Sequence, residues 1–133
     1  MFFDRLINQT NAPLLEQMLQ FTSARHNLII ENIANTDTPE YQQKDLSVDK
    51  FQDLLKRRVA DRDSAGPGSV GFSDLMPDIE NPQNGILFHD GNNRSMETLQ
   101  SDLAKNAMTH NLVVELLRKQ YQQLDMALKE KVS

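Results

Sequence analysis

The sequence predicts a mainly α chain: two long terminal helices forming a coiled-coil-like pair, joined by a loop-rich middle segment that contains one short helix. Three observations carry this expectation. Apolar residues at helical spacing concentrate in the two terminal segments. All five glycines and four of the five prolines fall between Pro39 and Gly91, so turns punctuate the middle. Hydrophobic content is 38% with no Trp, which favours helices burying a stripe over a thick central core. The 133 residues suffice for one structural domain. Its parts are an N-terminal helix over 1–34, a connecting segment over 35–94 and a C-terminal helix over 95–133.

The first helix is expected to begin near Thr10 or Asn11. Either side chain can cap free backbone N–H groups, and Pro13 is tolerated in a first turn. Glu16 places a negative charge near the positive end. Two apolar rows follow, Leu14, Met18, Phe21 and Leu15, Leu19, Ile29, Ile33. The stop is marked by Asn35, which can take a left-handed conformation, and by Pro39, which forces Thr38 out of the helical region.

The next element starts near Leu46, with Ser47 as its candidate cap. Val48, Phe51, Leu54 and Leu55 predict a short amphipathic helix ending near Arg58. Ser, Gly and Asp dominate from Ala60 to Gly71, which predicts a mobile loop, and Pro77, Pro82 and Asn84-Gly85 add turns. Ile86-Leu87-Phe88 reads as a short strand or an apolar segment docked on a helix. So long a connection is expected to be ordered partly by partners.

The last helix is expected from about Ser95 to near Lys129. Leu103, Ala107, His110, Val114, Leu117, Tyr121, Leu124 and Leu128 step alternately by four and three residues, a heptad seam. At ~1.5 Å per residue this helix is roughly 50 Å long. The first helix is shorter, so part of the seam is expected to need another subunit.

Charge and composition exclude several function classes. The formal net charge of −5 argues against nucleic acid as the main partner. The acidic excess lies between Asn35 and Arg94, while Met96 to Ser133 is near neutral with both signs interspersed, which suits a helix lying among similar helices. With no Cys, disulfides and cysteine-based zinc sites or nucleophiles are excluded. The start, Met1-Phe2-Phe3-Asp4-Arg5, lacks the marks of a secretory signal peptide, and no apolar run is long enough to span a bilayer.

The run Asn32-Ile33-Ala34-Asn35-Thr36-Asp37-Thr38-Pro39-Glu40-Tyr41 closes the first helix. Together with Ala24-Arg25-His26-Asn27, Gly91-Asn92-Asn93, Met96-Glu97 and Ala104-Lys105-Asn106-Ala107, it resembles the bacterial flagellar basal-body rod proteins, most closely a proximal rod member. Glu40 stands where the family pattern usually has Gly, and a positive φ there would cost on the order of 1 kcal/mol. Arg94-Ser95 replaces the usual Val-Asp ahead of the last helix.

The resemblance implies a structural subunit of the flagellar rod, required for flagellar assembly and motility, with no enzyme activity and no cofactor. It implies export through the flagellar type III apparatus without a cleaved signal. It also implies helical packing against copies of itself and other rod subunits on the basal-body base. Subunit packing is expected at Leu15, Leu19, Ile29, Ile33, Leu103, Val114, Leu117, Tyr121, Leu124 and Leu128. The turn that aims the connecting segment is expected from Asn32, Ala34, Asn35, Thr36, Thr38, Pro39 and Tyr41.

Other readings weigh less. His26 and His110 fall on predicted helices and His89 in the loop, without the spacing of metal ligands, and His110 is expected to set register in the seam. Asp61 and Asp63 lie in a Gly/Ser stretch with no apolar pocket and read as solvated surface rather than an acid–base pair. Lys56-Arg57-Arg58 suits the negative end of a helix better than a phosphate site. A peptidoglycan hydrolase would need an acid and nucleophile constellation that is absent. The alternative is a cytosolic helical adaptor or chaperone that binds one partner helix.

Overall fold

The computed structural model describes residues 10–65 and 85–132. Helix α1 spans Ala12–Ala34, strand β1 Lys44–Leu46, helix α2 Val48–Ala65, strand β2 Leu87–His89 and helix α3 Met96–Val132. Of the expected connecting features, the loop beyond Ala65 and the turns at Pro77 and Pro82 lie outside the described residues.

Thr10, not Asn11, caps α1: its Oγ1 accepts from Ala12 N at 3.2 Å, while Asn11 makes no side-chain cap bond. Pro13 sits in the first turn, where its missing N–H costs nothing. Ser47 caps α2 by accepting from Lys50 N at 3.3 Å. Contrary to expectation, α2 does not end near Arg58 but continues to Ala65. The reason is packing: Val59 rests against the core, and no Gly or Pro interrupts the chain before Gly66. Arg62 in the last turn complements the negative helix end.

The strands form an antiparallel pair, with Lys44 opposite His89, Asp45 opposite Phe88 and Leu46 opposite Leu87. Ile86 docks into the core just before β2, so this segment both pairs and packs. The core joins Phe21 of α1, Leu46, Phe51, Leu55 and Ile86. The Phe21 and Phe51 rings stack with centroids 4.0 Å apart and planes 4° from parallel. Leu14, Met18 and Leu28 from α1 and Val48, Leu54 and Val59 from α2 surround them.

The other side of α1 carries α3, which runs antiparallel to it: Asn106 and His110 meet Thr22, and Tyr121 meets Glu16 farther toward the start of α1. The 37 residues of α3 extend roughly 55 Å and the 23 of α1 roughly 35 Å. The buried row on α3 is Leu99, Asn106, Val113 and Leu124, with Leu103, His110, Leu117 and Leu128 half-buried beside it. Ala107 and Val114 are half-buried there too, and the most deeply buried places between Leu103, His110, Leu117 and Leu124 are taken by their neighbours Asn106 and Val113. Tyr121 is 42% exposed. A one-residue step rotates a side chain ~100° about the helix, and the position of α1 selects between adjacent candidates.

Candidate assembly surface and the turn that frames it

The end of α1 is built almost wholly from side-chain oxygens and amides satisfying the last helical carbonyls. Asn35 N and Asn35 Nδ2 both donate to Glu31 O, at 3.0 and 2.8 Å. Thr36 Oγ1 donates to Ile33 O at 2.8 Å, with Asn32 O also in range at 3.2 Å. Thr38 N donates to Asn35 O at 3.0 Å and Thr38 Oγ1 to Asn35 Oδ1 at 3.1 Å. Asn35 itself has φ −106°, so the expected left-handed residue is not Asn35. Glu40 takes that conformation, with φ 63°, at the position where the family pattern has Gly.

Two side-chain amides then tie the connecting segment down. Asn32 is 1% exposed; its Nδ2 donates to Lys44 O at 2.7 Å and its Oδ1 accepts from Lys44 N at 3.1 Å. Tyr41 OH also reaches Asn32 Oδ1, at 3.4 Å. Gln43 does the same for the approach to α3: its Nε2 donates to Arg94 O at 3.1 Å and its Oε1 accepts from Arg94 N at 2.8 Å. Asn93 closes the clamp, donating to Tyr41 O at 3.1 Å.

Beneath these amides lies a charge cluster. Asp45 is 2% exposed; its Oδ1 accepts from Arg25 Nε at 3.0 Å and its Oδ2 from an Arg94 guanidinium nitrogen at 2.6 Å. Arg94 also pairs with Asp90 and Asp102, both at 3.2 Å. Burial by itself would raise the Asp45 pKa; hydrogen bonds from Arg25 and Arg94 outweigh it and hold the carboxylate below its ordinary value. Asp45 and Arg94 together join α1, β1, the turn after β2 and α3. Sequence reading had marked Arg94 only as a departure from the family pattern, and had missed Asp45 and Gln43 altogether.

The expected packing residues divide by position. Leu15, Ile29 and Leu124 are buried within the chain, whereas Leu19, Ile33, Leu103, Val114, Leu117 and Leu128 are half-buried along the helix pair. Leu19, Val114, Leu117 and Tyr121 line one open groove between α1 and α3. Of the turn residues, Ala34, Thr36, Thr38 and Pro39 are exposed.

A second apolar row was missed. Met108 is 72% exposed, Leu112 59% and Leu116 40%, spaced by four on the side of α3 turned away from α1. Their spacing was readable as a row, but the heptad seam dominated the pattern. Among the described residues no group of three or more His, Cys, Asp or Glu is placed to hold a metal ion, and no helix is long and apolar enough to cross a membrane.

No family model matches this sequence, and no solved structure matches it. Curated relatives do. The flagellar basal body rod protein FlgB of Borrelia hermsii is 23% identical over 133 residues, covering 92% of this chain and 98% of its own length. The protein of the same name from Bacillus subtilis is 28% identical, covering 86% of this chain and 89% of its own. That of Aquifex aeolicus is 27% identical, covering 73% and 75%. The chain is thus similar to flagellar basal body rod proteins FlgB, and the matched stretch runs through the connecting segment as well as the terminal motifs.

Proposed function

We propose that the chain is a structural subunit of a bacterial flagellar basal-body rod. The observation that carries this reading is the FlgB likeness over as much as 92% of the chain. In this reading the subunit polymerises through its helix pair, contacting copies of itself and other rod subunits on the basal-body base. It is exported through the flagellar type III apparatus without a cleaved signal, and flagellar assembly and motility depend on it.

The outward row Met108, Leu112 and Leu116 supports polymerisation. Its residues are too exposed to serve the chain's own core, and apolar rows of this kind mark interaction surfaces. Where such a row meets a different face of the next copy and the rotation does not close, a helical assembly results. The turn at Asn32–Tyr41 supports the same reading by fixing the connecting segment against the helix pair.

The test is deletion of the gene from a flagellated host, followed by complementation and electron microscopy of purified basal bodies. Loss of rods on deletion, their return on complementation and the chain's presence in them are expected. Intact rods in the deletion strain, or a closed heterodimer with a soluble partner in place of incorporation, would sink the proposal.

A further inference from the structure

The side of α3 turned away from α1 carries more than three apolar residues. Met126, 57% exposed, continues the line of Met108, Leu112 and Leu116. Four exposed charges share that side: Lys105, Glu115, Lys119 and Glu130. Lys119 falls among the apolar residues, between Leu116 and Met126. Lys105 and Thr109 also line a pocket against α2, which bounds the row on that flank.

The order of these charges decides how a second α3 can lie on the row. A parallel pair in register sets each charge against its own copy, and like charges in contact oppose association. An antiparallel pair centred at the height of Leu112 sets Lys105 against Lys119. Moving the centre to the height of Leu117 removes the conflict. Glu115 then lies opposite Lys119, Lys105 opposite Glu130, and Met108 opposite Met126, each twice by symmetry. Within the chain Glu115 pairs with Arg118 at 3.0 Å, but the two side chains are 60% and 61% exposed. So exposed a pair contributes little, and Glu115 can turn to a partner.

We propose that the free chain forms a closed antiparallel dimer with a second copy through this side of α3, centred at the height of Leu117. Lys119 in the middle of the contact costs stability and fixes its register, as a lone polar residue in a helix seam does. The two copies use the same surface, so the pair takes up the row and stops at two. The dimer goes beyond the rod reading and does not depend on it. Within that reading it covers Met108, Leu112 and Leu116 before assembly, and growth from that row waits for dissociation.

The experiment measures the mass of the full, tag-free chain by sedimentation velocity from about 1 to 100 μM. A reversible monomer–dimer equilibrium is expected, weakened by added salt. Lys119→Glu is expected to weaken the dimer about tenfold, because symmetry turns two attractive pairs repulsive at once. Adding Glu115→Lys to that variant should restore it. Leu112→Asp should leave a folded monomer. All these positions are exposed, so the variants keep their fold. Because the chain has no Cys, a short bismaleimide reads the register. Mixed Met108→Cys and Met126→Cys chains should be joined to one another more than either is to itself. Self-joining at Met108, masses growing beyond two copies, a monomer at every concentration, or a dimer indifferent to Lys119→Glu overturns the proposal. None of these outcomes touches the chain's presence in purified basal bodies, which tests the rod reading separately.

Discussion

The Asn32 side chain completes the open edge of β1 at Lys44. The hydrogen bonds from Asp90 N to Gln43 O and from Ser47 N to Ile86 O place Lys44 between bonded positions of the ladder, so its own N–H and C=O point away from β2. Asn32 meets both groups, at 3.1 and 2.7 Å, and so acts as a one-residue third strand supplied by a helix. Replacing it by Leu leaves two part-buried backbone groups of Lys44 unpaired. The expected cost is about 2 kcal/mol, read as a lower urea midpoint with an unchanged slope.

The Asp45 cluster makes the fold acid-sensitive. Asp45 has a folded pKa below its ordinary value of 3.8. Its stabilising contribution is therefore complete above about pH 4 and is lost as pH falls through the lowered folded value. Asp45→Asn should lower stability by about 3 kcal/mol near neutral pH, because Arg25 and Arg94 lose their shared partner. The variant's thermal midpoint should also fall less steeply than the wild type's between pH 4 and 2. Paired melting curves across that range check both statements.

Glu40 sits at φ 63° and is exposed. Glu40→Gly removes a left-handed strain of ~1–2 kcal/mol at a chain-entropy cost of ~0.5–1 kcal/mol. A net gain of about 0.5–1 kcal/mol is expected in chemical denaturation. A loss of stability would show that the Glu40 side chain contributes more than its backbone strain costs.

Two leucines on α3 separate assembly from folding. Leu112 is 59% exposed, so Leu112→Asp should leave the monomer's stability within about 0.5 kcal/mol and abolish rod formation. Leu124 is 9% exposed, and Leu124→Asp should cost several kcal/mol and deplete the folded protein before any assembly step. Asp63→Ala, on the exposed surface of α2, should alter neither. Melting curves and electron microscopy of basal bodies, run in parallel on the three variants, make the distinction.

The sequence by itself determined the two long helices, the cap at Ser47, the close of α1 in an Asn- and Thr-rich turn, and the repeat carried by Leu103, His110, Leu117 and Leu124. These features are local: caps, breakers and period act within a turn or two of chain. Tertiary structure decided the rest. Val113 and Val114 are equally apolar, and Ala107 looks a better core residue than Asn106. Only the position of α1 buries Val113 and pairs Asn106 with Thr22 O. The three-residue strands are too short to show alternation and pair across some forty residues of chain. Asp45, a surface residue by composition, is buried because Arg25 lies 20 residues before it and Arg94 49 residues after it. Such burial follows from contacts between distant segments, which no local pattern encodes.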